Sequence, residues 1–303
     1  MVHGITPLID YGLIRATGED AAAFLHGQLT NDFEHLAAGH AQLAAYCSPK
    51  GRMLASFTAW KSAAGDIMLE CDSTVLPAVL KRLSMFVLRA KCRLADVSAD
   101  YRIYGLAGGD VASFGFAPSP VWGAQHSDSG LTLVRLPDAA GVPRHMLIAP
   151  QEVNIDAAPE LPREQWEWLQ VQSAIARITA PTVEQFVPQM VNFEAVGGVN
   201  FKKGCYPGQE VVARSQYRGT VKRRMFPAHT SGVLNAGQDV FNSEDPSQPA
   251  GMVVLSAAAP NGGHDALIEL RLQALEQGTL HAGAAGGPLV TPGALPYELP
   301  VEV

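Results

Sequence analysis

Helical periodicity recurs along this chain as far as Ile178 and is absent beyond Arg223, and that change of texture limits the folds open to it. In TGEDAAAFLHGQL, Thr17 can cap, Glu19 and Asp20 suit the positive end of a helix, and Ala21, Phe24, Leu25 and Gln28 share one face. Leu76–Arg89 carries Leu76, Val79, Leu80, Leu83 and Phe86 three or four apart. A third helix is expected after Pro162, with Trp168, Val171, Ile175 and Ile178 on one side. Short strand-like runs lie between: Leu8–Ala16, AAYCSPKGRMLASFTAW folded about a turn at Ser48-Pro49-Lys50-Gly51, Gly65–Cys71, Lys91–Val97, Arg102–Leu106, Leu131–Leu136 and Arg144–Ala149. The β-α-β-β order reads as α+β, because a doubly wound fold needs strict alternation. From Arg223 the pieces GVLNAGQDVF, PAGMVVLSAAA and HDALIELRL, divided by Gly, Pro and Asn, predict a compact all-β domain. Two regions are therefore expected, 1–222 and 223–303.

Composition narrows the functions. Of the 303 residues 47% are hydrophobic and 17% charged, enough apolar material for a real core. A net charge of −7 argues against a general nucleic-acid coat or a membrane-surface binder, so neither membrane nor nucleic acid is expected as a direct partner. The start, MVHGITPLIDYGL, has no basic segment followed by a long apolar run, and no stretch approaches the ~20 apolar residues of a membrane span. A cytoplasmic protein is expected. Cys47, Cys71, Cys92 and Cys205 form no CxxC pair, which makes a disulfide framework, a zinc knuckle or a resident cluster a poor reading. Cys47, Cys71 and Cys92 are expected to be plain buried thiols.

Chemistry concentrates in KKGCYPGQEVVAR, residues 202–214. Gly204 and Gly208 flank Cys205-Tyr206-Pro207, the composition of a rigid turn that presents Cys205 and Tyr206. Lys203 could stabilise a thiolate at Cys205. A buried thiol under Tyr206 is the competing reading, and a covalent hydrolase is disfavoured because no histidine sits in a partner motif. Lys202, Lys203, Arg214, Arg218, Lys222, Arg223 and Arg224 face only Glu210, an island of positive charge suited to an anionic ligand, a solvated strand edge or, more weakly, nucleic acid.

KKGCYPGQEVVARSQYRG closely resembles the K-G-C-Y-x-G-Q-E-x-x-A-R signature of the YgfZ family of folate-binding proteins, relatives of the glycine cleavage T-protein, an aminomethyltransferase. LIRATGEDAAAFLHGQLTND, AAYCSPKGRMLASF, FVPQMVNFEAVGGVNFKKGC and LPYELP extend the resemblance along nearly the whole chain. It implies a three-lobed ring: two interleaved α+β, ferredoxin-like lobes within 1–222, a C-terminal β-barrel over 223–303, and a central folate cavity. It also implies a tetrahydrofolate-binding accessory factor for assembly or repair of iron–sulfur enzymes, indirectly supporting tRNA thiomodification. Reduced folate, possibly polyglutamylated, and iron–sulfur enzymes or their assembly proteins are the implied partners, with no stable metal. By the same resemblance Cys205 and Lys203 are the candidate reactive pair, and Asn31, Asp32, Gln172, Tyr206 and Arg214 the candidate folate contacts. Where the T-protein carries a paired Asp-Asp this chain has Ala55 and Ser56, neither able to act as a carboxylate base. A folate-dependent one-carbon transferase or demethylase, the alternative, would need a replacement such as Asp32 or Glu194.

Overall fold

The computed structural model describes residues 2–155, 158–217 and 221–300. The chain runs through β1 (Gly4–Pro7), β2 (Tyr11–Thr17), α1 (Ala21–Gln28), β3 (Ala41–Cys47), β4 (Met53–Lys61), β5 (Ile67–Asp72), α2 (Leu76–Met85) and β6 (Arg93–Asp96). Then follow β7 (Tyr101–Ala107), β8 (Ala124–His126), β9 (Thr132–Ala139), β10 (Val142–Pro150), α3 (Arg163–Gln172) and α4 (Gln209–Tyr217). The remainder is β11 (Arg223–Thr230), β12 (Asp239–Asn242), β13 (Asp245–Ala258), β14 (His264–Arg271), β15 (Leu280–Ala282) and β16 (Leu289–Pro292).

These strands form two five-stranded sheets, ordered β3-β4-β5-β2-β6 and β1-β7-β10-β9-β8, and a closed barrel β11-β14-β13-β12-β15-β16. The α+β expectation holds. The two sheets are interleaved: β1 leaves the start of the chain to pair with β7 (Gly4↔Ala107), while β2, only a turn later, pairs with β5 and β6. Phe24 and Leu25 of α1 and Val79 and Leu83 of α2 bury against Ile14, Phe57 and Leu69 of the first sheet. On the second sheet α3 lays Trp166 and Leu169 over Val134, Met146 and Ile148. That approach demands glycine at 105, where a Cβ would come within 2.4 Å of the Trp166 ring. A third cluster joins the lobes, with Leu43 and Met53 from the first sheet, Ile178, Phe186 and Phe193 from the segment after α3, and Met225, Val254 and Leu267 from the barrel. Each such fully buried side chain contributes about 1.5–3 kcal/mol.

Several boundaries differ from the sequence reading. Thr17 ends β2, paired with Arg93, so α1 begins later, at Ala21. The strand expected over Leu8–Ala16 begins only at Tyr11, because residues 8–10 form the turn between β1 and β2. α2 stops at Met85, and Leu88 adopts a positive φ of 42° that a helix cannot contain. α3 stops at Gln172, and Ala174 at φ 52° swings the chain away, so Ile175 and Ile178 leave the helix face of Trp168 and Val171. α4 went unread because its pattern, QEVVARSQY, buries only Val212. Among the described residues no helix is long and apolar enough to cross a membrane.

Candidate functional site

Two neighbourhoods carry chemistry. The first is the turn before α4. Gly208 sits at φ 80°, and a Cβ there would meet the Ser48 carbonyl oxygen at 2.3 Å and Gly51 Cα at 2.7 Å. The SPKG hairpin and the GCYPG turn, far apart in sequence, are thus pressed together backbone to backbone, which glycine alone permits. Tyr206 is buried against this contact while Cys205 is exposed. Lys203 is buried too: its Nζ donates to the His26 carbonyl and, at 3.3 Å, to that of Gly204, and lies 4.7 Å from the centre of the Tyr206 ring. Burial lowers the Lys203 pKa to about 8, against the opposing pull of Asp32, Cys205 and Glu34.

His26 ties this turn to α1. The Gly204 amide donates to His26 Nε2 at 3.3 Å, which leaves Nδ1 carrying the proton toward Asp32 Oδ1 at 3.0 Å. Burial disfavours the Asp32 carboxylate, but hydrogen bonds from His35 and His26 outweigh it and hold its pKa below the ordinary value. Asn31 donates to the carbonyls of Leu43 and Gly197 at 2.7 and 2.9 Å and accepts from the Asp32 amide, clamping the end of α1 to β3. Cys205, Lys203, Tyr206 and Asp32 are therefore gathered in one place with Asn31 alongside. Among the described residues the buried Tyr206 hydroxyl has no hydrogen-bond partner, and burial pushes its pKa up.

Arg214 and Gln172 lie elsewhere. Arg214 lines an open groove along α4 with Val187, Met190, Glu210 and Lys222. Gln172 donates to Asp265 of the barrel at 2.9 Å, beside Trp168 Nε1 at 2.7 Å. The basic island is not one patch. Arg223 pairs with Glu269, Arg224 with the buried Glu194, and Arg218 lies outside the described residues. Of the three cysteines read as buried thiols, Cys47 and Cys71 are buried, with burial lifting the Cys47 pKa to about 12, and Cys92 is half-buried.

The second neighbourhood is a cavity where the two sheets and the end of α3 meet. Leu43, Phe57, Trp122, Met146 and Ile175 supply apolar walls. Its polar groups are Tyr11, Ser56, Thr58, Glu70, Arg144, Gln170, Ser173 and Arg177. Ser56 faces the cavity and accepts the Ile178 amide at 3.0 Å, whereas Ala55 points into the core under α1 and α2. Only one of those two positions could thus present a carboxylate here. Arg177 donates to Glu70 at 3.0 Å, to Asp72 at 3.3 Å and to the Asp10 carbonyl at 3.0 Å, and its guanidinium lies 3.4 Å from the Tyr11 ring centre. Burial opposes its charge, but Tyr11, Glu70 and Asp72 prevail and hold its pKa above the ordinary value. Burial raises the pKa of Glu70, 5% exposed, with Arg177 opposing. Gln170 bridges the rest, donating to the Tyr11 hydroxyl at 2.6 Å and accepting from Arg144. Neither Asp32 nor Glu194 lines this cavity.

Sequence reasoning missed Glu70, Arg144, Gln170 and Arg177. A signal existed: Glu70 and Arg144 interrupt apolar strands, and Arg177 stands between Ile175 and Ile178. A charge at a buried position needs a partner, and the partner is what a sequence does not name.

No family profile matches the chain. Curated proteins do. The tRNA-modifying protein YgfZ of Cronobacter sakazakii is 32% identical over 248 residues, 77% of this chain and 74% of that protein. The chain belongs to the YgfZ family. The YgfZ protein of Yersinia pseudotuberculosis serotype O:1b is similar to the same degree, 31% over 250 residues, 77% of this chain and 73% of its own. Among solved structures, the glycine cleavage system aminomethyltransferase T of Bartonella henselae superposes with a TM-score of 0.71 over 98% of this chain and 87% of that one. At 14% identity this likeness shows a shared fold. The YgfZ signature turn and the cavity are joined on this chain through β3, whose Leu43 lines the cavity and accepts from Asn31.

Proposed function

We propose that this chain binds a reduced folate in the central cavity and acts as an accessory factor that maintains iron–sulfur enzymes, through which it supports tRNA modification. The observation that carries the reading is the cavity's donor set on an aminomethyltransferase-like fold. A pterin needs a flat apolar slot and a row of paired donors and acceptors. Trp122, Phe57 and Met146 offer the first, Gln170, Glu70, Thr58 and Ser56 the second. When bound, a reduced folate supplies a nitrogen able to carry a one-carbon unit. Around it, Arg177 would hold Glu70 in place, Gln170 would orient the ring edge, and the apolar walls would exclude water.

Iron–sulfur clients enter the reading through Cys205, the exposed thiol of the family turn. One cysteine cannot supply the four thiolates of a resident cluster, so its contact with a client is transient. Titration calorimetry with tetrahydrofolate tests the ligand: saturable binding near 1:1 is expected, and its absence would end the folate reading. A Cys205→Ala strain is expected to lose iron–sulfur enzyme activity, and full activity would end the thiol's role.

Glu70 favours a second reading, folate-dependent one-carbon transfer, because it places a carboxylate with a raised pKa in the cavity. Asp32 and Glu194, the carboxylates expected to serve there, do not reach it. Turnover of labelled methylamines with tetrahydrofolate, abolished by Glu70→Gln, would favour transfer. Binding without turnover favours the accessory role.

A further inference from the structure

Two guanidiniums line the central cavity, and they are treated oppositely. Arg177 is matched by Glu70 and Asp72. Arg144, only 1% exposed, forms no ion pair among the described residues. Its hydrogen bonds go to neutral acceptors, the Pro137 carbonyl at 3.1 Å and the Gln170 side-chain oxygen, and its guanidinium lies 5.6 Å from the Trp166 ring centre. The second terminal nitrogen, Nη2, makes no hydrogen bond among the described residues. A cation withdrawn from water without an anion is costly, and natural interiors rarely keep one. Its neighbours hold it in place instead of neutralising it: Gln170 is itself fixed by Tyr11, and Arg135, the nearby charge of like sign, is occupied by Asp138.

We propose that Arg144 is the carboxylate-recognition residue of the central cavity. The ligand's carboxylate completes the pair that the protein leaves open, by accepting a charge-assisted hydrogen bond from Nη2 of the guanidinium. This rests on the cavity being the ligand site and deepens the folate reading. The carboxylate has two possible sources, the glutamate of the folate itself or a separate small carboxylic acid held beside the pterin.

The test is titration calorimetry on the full chain with 5-formyltetrahydrofolate, with its pteroate counterpart lacking glutamate, and with acetate and L-glutamate against acetamide and L-glutamine. If the folate glutamate is the source, the wild type binds the glutamylated compound about 10- to 100-fold more tightly than the pteroate, the span of a charge-assisted hydrogen bond. Arg144→Gln and Arg144→Met then close that gap. If a separate acid is the source, the two folates bind alike, and acetate or L-glutamate binds the wild type where its amide does not. Absence of any preference for carboxylate over amide in the wild type, or a preference undiminished in both variants, overturns the proposal. Because the wild-type arms alone can overturn it, a variant that fails to fold does not shield it. Should neither folate bind, the folate reading falls while the acetate and glutamate arms still judge Arg144.

Discussion

Lys203 shows how one residue's surroundings set its charge. Burial lowers its folded pKa to about 8, below the 10.5 of a free lysine, so between those values the unfolded chain binds more protons than the folded one. Stability therefore rises as pH increases from about 8 toward 10.5, and the contribution is unfavourable below. Thermal melting of the wild type is expected to gain on Lys203→Met across that window, and parallel curves would contradict the burial argument. The Arg177 cluster works the other way. Removing the cation in Arg177→Met strands Glu70 and Asp72, which should cost about 3–5 kcal/mol in urea unfolding, whereas Glu70→Gln, leaving Arg177 its Asp72, should cost less. Thiol titration of the native protein should find Cys205 reacting fastest and Cys47 and Cys71 silent, with the fast phase gone in Cys205→Ser.

Among elements, the turn before α4 is the one that its neighbours dictate most closely. Gly208→Ala must place a methyl group on the Ser48 carbonyl and hold φ 80° as well, so the SPKG and GCYPG turns have to part. A loss of about 3 kcal/mol or more is expected, together with faster modification of Cys205 as its support loosens. Gly197→Ala is the control: its φ of 81° is equally unfavourable, but nothing lies within 4 Å of the added Cβ, so about 1 kcal/mol should suffice. Equal losses at both would mean that contact between the turns adds nothing. The sequence reading recognised each turn from its glycine and proline. It could not see that they touch, because contact depends on how β3 and β4 stand against the segment after α3.

Across the whole molecule, Asp265 links lobes that the sequence presents as separate. It accepts from Trp168 and Gln172 of α3 and pairs with His229 of the neighbouring barrel strand. Asp265→Ala should lower stability by about 2 kcal/mol in urea unfolding, as part-buried hydrogen bonds to a carboxylate are lost. Tetrahydrofolate should raise the melting temperature of the wild type by mass action. The sequence by itself determined the class of the fold, the all-β character of the end, and the local turn at Cys205, because periodicity, glycine and proline act over a few residues. It also carried the YgfZ signature, and with it the family. Which polar residues share the cavity was decided only by the tertiary structure. Gln170 faces that cavity and Gln172 the barrel because α3 is wedged between the two, and the helix turns neighbouring positions to different sides. Glu70 and Arg177 meet, and Arg144 forms no ion pair among the described residues, because sheet order and the left-handed turn at Ala174 bring distant segments together. No local preference encodes that meeting; it arises when the lobes close on a common centre.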